Sequence, residues 1–112
     1  MKTYEVQYGG VLYTIRVGRN KQDNWDLLLQ SKDSDIWFHV DGLPSCHVIL
    51  ENDKSIRDIP LQILRRSAYL CKINSSAKKN DKCDVMYACM KNVSLGDQVG
   101  EVNVTDYNIT RV

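Results

Sequence analysis

Asp35-Ile36-Trp37-Phe38-His39-Val40-Asp41-Gly42-Leu43-Pro44-Ser45-Cys46-His47-Val48-Ile49-Leu50 is the stretch on which the reading of this chain turns. Its first six residues alternate, so Ile36, Phe38 and Val40 share one side of an extended strand and Asp35, Trp37 and His39 the other. Ser45 to Leu50 alternates again, with Cys46, Val48 and Leu50 opposite Ser45, His47 and Ile49. The turn chemistry of Asp41 to Pro44 joins the two as neighbouring strands. A turn centred near Leu43 makes His39 and His47 cross-strand neighbours, and a slip of one residue separates them. The side carrying Ile36 is expected to be core, and the side carrying Trp37 exposed or functional.

Upstream, Tyr4, Val6 and Tyr8 alternate, as do Val11, Tyr13, Ile15 and Val17, around Gly9-Gly10, the pattern of a two-residue β-hairpin. Past Gly18 the period changes. Asn20 is placed to cap a helix, Asp23 lies near its positive end, and Trp25, Leu28 and Leu29 fall at helical spacing, which predicts a helix from about Lys21 to Gln30. Downstream, a polar loop from Glu51 to Asp58 leads to Pro60 and a second helix over roughly Leu61 to Asn74, with Leu61, Leu64, Ala68 and Cys71 as its buried stripe. Ser75 to Lys82 reads as a basic loop. Cys83 to Cys89 and Gly100 to Thr105 alternate, joined through a turn region with Gly96, and Tyr107 to Val112 adds a short last strand. The expected fold is α+β: a mostly antiparallel sheet of about six strands with two helices packed on it, in the order β-β-α-β-β-α-β-β, as one domain over residues 1–112.

With 112 residues, 43% of them hydrophobic, the chain has room for one core and little else. No apolar run approaches a membrane span, and the N-terminus lacks the apolar stretch of a signal peptide, so a cytoplasmic protein with no membrane partner is expected. Cys46, Cys71, Cys83 and Cys89 form no C-x-x-C pair and read as reduced, mostly buried thiols. The net charge of +1 provides no global attraction to phosphate, so nucleic-acid binding needs a local cluster of cations.

Three constellations carry chemistry. In Val17-Gly18-Arg19-Asn20-Lys21 a strand ends in glycine and a helix begins at once, aiming backbone N–H groups outward beside Arg19 and Lys21, a geometry that holds phosphate. In the second, an exposed Trp37 stacks on a base while Asp35, His39 and His47 hydrogen-bond base edges or sugar hydroxyls. The third is the cationic set Arg65, Arg66, Lys72, Lys78, Lys79 and Lys82 on and after the second helix. Each also has a structural reading: a capped turn, a tryptophan covering a helix edge, a solvated helix face. Two histidines without paired-ligand spacing do not make a metal site. No nucleophile elbow or assigned base is present, so neither an enzyme nor a cofactor is expected.

Gly10 to Leu27, with Val17-Gly18-Arg19-Asn20 and then Gln22-Asp23-Asn24-Trp25-Asp26-Leu27, resembles the V-G-R-N pattern of the NFACT-R family, with a small rearrangement of its Q-N-D-x-L-like segment. Asp35 to His39 resembles the family's D-x-W-x-H motif, Ser45 to Ile49 its G-S-H-V-I strand, and Pro60 with the helix to Asn74-Ser75 also fits. The resemblance implies an α+β domain of proteins that work on stalled ribosomes, with tRNA or ribosomal RNA as partner. Free-standing members exist, some linked to DNA, and this chain is expected to be free-standing and without tailing activity. Carried over residue by residue, the family's polar positions are Gly18, Arg19, Asn20, Asp35, Trp37, His39 and His47. The expected function is RNA binding, with Lys21, Arg65, Arg66, Lys78 and Lys79 added as phosphate contacts. DNA binding, or docking on the ribosome or another protein partner, are the alternatives.

Overall fold

Gly9 and Gly10 decide the first pair of elements. Both take positive φ, 59° and 78°, the backbone of a tight hairpin turn that other residues resist. In the computed structural model, which describes residues 1–99 and 101–112, β1 (Lys2–Tyr8) and β2 (Val11–Val17) therefore pair antiparallel, with Tyr4 opposite Ile15 and Val6 opposite Tyr13. β3 (Ile36–Val40) and β4 (Val48–Leu50) pair with Trp37 opposite Ile49 and Phe38 opposite Val48. That register is the one centred on Leu43.

β5 (Asp84–Cys89) pairs with β3, and β8 (Asn108–Arg111) pairs with β5. The result is a six-stranded sheet in the order β1-β2-β4-β3-β5-β8, antiparallel at every junction. The fold is α+β, as expected. The stretch after Cys89 departs from the sequence reading. Met90–Asn92 makes a single 3-10 turn, and β6 (Val93–Leu95) leaves the sheet to pair with β7 (Val102–Val104) as a separate two-stranded hairpin. β7 falls within the alternation expected from Gly100 to Thr105, whereas β6, three residues long, is too short to register as periodicity. The expected strand start at Gly100 lies outside the described residues.

The helices cover opposite faces. α2 (Leu61–Ile73) buries Ile63, Leu64, Ala68 and Cys71 against Ile36, Phe38, Val40, Val48 and Leu50, and each fully buried side chain of this kind contributes roughly 1.5–3 kcal/mol. α1 (Lys21–Gln30) lays Leu27 and Leu28 on Trp37 and Ile49, with Ala88 and Met90 beside them and Val93, Val102 and Val104 of the small hairpin packed against the cluster. Two helix stripes are corrected. α1 buries Asn24, Leu27 and Leu28 while Trp25 is only half-buried and Leu29 is exposed. α2 turns Ile63 inward and leaves Leu61 62% exposed, since the buried positions Ile63, Leu64, Ser67, Ala68 and Cys71 centre the stripe away from Leu61. Cys46, Cys71 and Cys83 are buried free thiols, as expected, with Cys89 partly buried. No helix among the described residues is long and apolar enough to cross a membrane.

Candidate nucleic-acid interface

The Leu43-centred register brings His39 and His47 face to edge, their ring centroids 5.1 Å apart, with Trp37 stacked 5.8 Å from His39 and edge-on 5.7 Å from His47. Trp37 Nε1–H donates to His47 Nδ1 at 3.2 Å. His39 Nδ1 lies 2.6 Å from the Val40 carbonyl, which only accepts, so Nδ1 carries a proton. The two neutral rings are thereby fixed in opposite tautomers: Nε2 of His39 accepts and Nε2–H of His47 donates. Both rings are held neutral. Burial lowers the pKa of each, and repulsion from His39 helps bring His47 down to about 4.

Among the described residues no buried side-chain nitrogen or oxygen lacks a partner. Among the described residues neither Nε2 atom has a hydrogen-bond partner, and both rings line a cavity of about 400 Å³ with Trp37, Met86, Val102, Val104 and Tyr107. The last three close a wall that the sequence reading did not anticipate, since the 102–107 segment lies far along the chain and shows no motif of its own. An apolar cleft with a few convergent polar groups is the usual form of a small-ligand site.

Two expectations about this face are corrected. Trp37 is 1% exposed, so it is a wall beneath the cavity and not an exposed platform: α1 and the small hairpin cover the sheet that strand periodicity left open. Asp35 is buried too, its Oδ1 accepting from Asn52 N and Lys32 Nζ and its Oδ2 from Lys32 N, each at 3.0 Å. It braces two loops and has no oxygen free for a ligand.

The Val17–Lys21 turn is built for closure. A Cβ on Gly18 would stand 2.0 Å from Asn24 Oδ1, which accepts from His47 N at 3.1 Å, while Gly18 N donates to His47 O at 3.0 Å. Gly18 thus lets α1 come down onto the strand that carries His47. Asn20 Oδ1 caps α1 by accepting from Asp23 N at 2.8 Å. Asp23 Oδ2 accepts from Arg19 N and Arg19 Nε, both at 3.0 Å, and meets the Met1 ammonium at 2.9 Å. These cations, the ammonium first, hold the Asp23 carboxyl well below the usual carboxylate range. The expectation of free N–H groups is therefore corrected for Arg19 and Asp23. The outer guanidinium of Arg19, Asn20 and Lys21 instead flank a polar cleft of about 280 Å³ that continues to Ser45, Asn74 and Ser75.

Arg65 and Arg66 stand exposed on α2, and Lys78 and Lys79 on the loop after it. Lys72 is buried, its Nζ donating to the carbonyls of Asp81 at 2.9 Å and Val112 at 3.3 Å. The cations of α2 therefore lie on the other side of the sheet from His39 and His47. The idea of one site combining them is corrected. Among the described residues no three His, Cys, Asp or Glu side chains gather as metal ligands.

An antiparallel six-stranded sheet with a helix on each face, one face interrupted by an imidazole-lined cavity, defines a small α+β domain. The family model described as NFACT protein RNA binding domain matches residues 2–106, and the chain belongs to that family. It is 42% identical over 84 residues to coiled-coil domain-containing protein 25 of Mus musculus, covering 72% of this chain and 40% of that protein. The homolog of that protein in Dictyostelium discoideum is 35% identical over 95 residues, covering 80% of this chain and 46% of its own. The chain thus spans under half the length of these relatives. The C-terminal part of the fibronectin/fibrinogen-binding protein from Streptococcus suis has the same fold, with a TM-score of 0.81 at 24% identity over 89% of this chain and 40% of that one.

Proposed function

We propose that this domain binds RNA, tRNA or ribosomal RNA in the cytoplasm, as a non-catalytic part of ribosome-associated quality control or RNA metabolism, and that the His39–His47 cavity takes one unpaired base. The observation that carries the reading is the pair His39 and His47 lining the 400 Å³ cavity, with Nδ1 of each already bonded, which leaves an acceptor on neutral His39 and a donor on neutral His47. Adjacent donor and acceptor atoms match the Watson–Crick edge of a base, and the exposed Tyr107 supplies an aromatic ring beside it. The family's RNA-binding description supports the ligand class. Outside the cavity, the cleft beside Arg19, Asn20 and Lys21 and the exposed Lys78 and Lys79 of the loop after α2 give the backbone its phosphate contacts.

The test compares labelled tRNA, single-stranded RNA and duplex DNA across a salt series, using the wild type and the variants His39→Ala and Tyr107→Ala. Both variants alter side chains that are not fully buried. RNA affinity is expected to fall with salt by a slope of roughly 0.7–0.9 per phosphate contact, to exceed duplex affinity, and to drop in both variants. Preference for duplex DNA would move the domain to DNA binding. No nucleic-acid binding would leave docking on a protein partner.

A further inference from the structure

A second opening, larger than the histidine cavity, lies on the other face of the sheet. A groove of about 610 Å³ runs along the outer side of α2, between β1 and the turn at Asp81–Lys82. Its floor is apolar, with Ile63 beneath, and its rim carries two aromatic rings, Tyr8 on β1 and Tyr69 on α2, which are 40% and 48% exposed. Helical spacing explains the rim: Arg65, Arg66 and Tyr69 stand three and four residues apart and share one side of α2. Lys82 faces them from the turn. Among the described residues Arg65, Arg66 and Lys82 enter no ion pair, and the one acidic side chain in the lining is that of Asp81.

We infer that this groove is a second contact surface for an unpaired nucleic-acid strand, with bases stacking on Tyr8 and Tyr69 and phosphates held by Arg65, Arg66 and Lys82. The inference rests on the nucleic-acid reading above and adds a site to it. Cations interleaved with exposed aromatic rings are the composition of sequence-tolerant single-strand grooves, since each base has an apolar face and each link a charge. The histidine cavity differs in kind: it is smaller, about 400 Å³, its lining carries no Lys or Arg, and it suits one base. Because α2 and His39 lie on opposite faces of the sheet, a strand that reaches both passes round a sheet edge, and a duplex does not.

Oligouridylate of roughly ten nucleotides, within the site sizes of single-strand binders, separates the possibilities when titrated into the protein with its Tyr and His rings followed by NMR. The Tyr8 and Tyr69 rings are expected to shift, and Tyr69→Ala to weaken binding roughly 5- to 150-fold, while Tyr69→Phe, which keeps the ring, binds as the wild type does. Shifts at His39 and His47 with Tyr8 and Tyr69 unmoved would overturn the second surface and leave the first. No shift at either place would overturn the nucleic-acid reading itself. Tyrosine shifts given by polyglutamate more strongly than by oligouridylate would make the groove a seat for an acidic protein segment, which also overturns the inference.

Discussion

The two faces of one strand, β3, behave differently. On the α2 side, Ile36, Phe38 and Val40 sink into a continuous apolar core in which each is fully buried. On the α1 side, Trp37 is equally buried, yet it is bonded to an imidazole, and its neighbour His39 is only partly covered. One face is filled by a single long amphipathic helix. The other is shared between a shorter helix and a two-stranded hairpin, and the histidine cavity opens beside the hairpin, walled by Val102 and Val104 of β7. In this fold the site lies where the cover of a sheet is divided.

The largest effects are expected at the two aromatic rings on opposite faces of β3. Phe38→Ala and Trp37→Ala should each cost about 3–5 kcal/mol in denaturant unfolding, because both rings are removed from filled surroundings. They should differ in one respect: only Trp37→Ala strips His47 Nδ1 of its donor and changes the imidazole's titration. A small loss of stability in Trp37→Ala, well under that of Phe38→Ala, would mean that the α1 side is not a core.

A second expectation concerns pH. His47 titrates near 6.5 when unfolded and at about 4 when folded, chiefly because it is buried. The unfolded chain therefore binds the extra proton between those values, so stability is full above about pH 6.5 and falls as pH drops towards 4, by about 3 kcal/mol in all. Unfolding midpoints followed from pH 8 to pH 4 should show that fall in the wild type and a smaller one in His47→Gln. An identical fall in both would assign it to other groups. Smaller again is Gly18→Ala, which pushes Asn24 off the His47 N–H and should cost about 1–3 kcal/mol for the buried donor left unmade.

Most of the sheet was legible in the chain. Gly9-Gly10 announces its hairpin, Asn20 and Asp23 announce the start of α1, and the spacing of Asp41-Gly42-Leu43-Pro44 sets the register that joins His39 to His47. What was not legible is what lies over each element. Alternation shows that Trp37 opposes Phe38 but not that Leu27 and Leu28 come down on it. Nor does any local signal tell that Val102, Val104 and Tyr107 close the cavity, because β6 and β7 pair only with each other. Lys72 reads as a surface cation until its Nζ finds two backbone carbonyls. Asp35, likewise, reads as a ligand group until three donors fill it.

The claim that most needs testing is that the divided face, through His39 and His47, holds an unpaired base. The direct measurement is imidazole NMR of the wild-type protein at neutral pH during titration with single mononucleotides and then with short single-stranded RNA. Saturable shifts are expected at the Nε2 side of both rings, with Nδ1 of His47 still bonded to Trp37, and the same residues respond to nucleotide and RNA. Rings that stay unmoved while RNA binds elsewhere on the protein would contradict it.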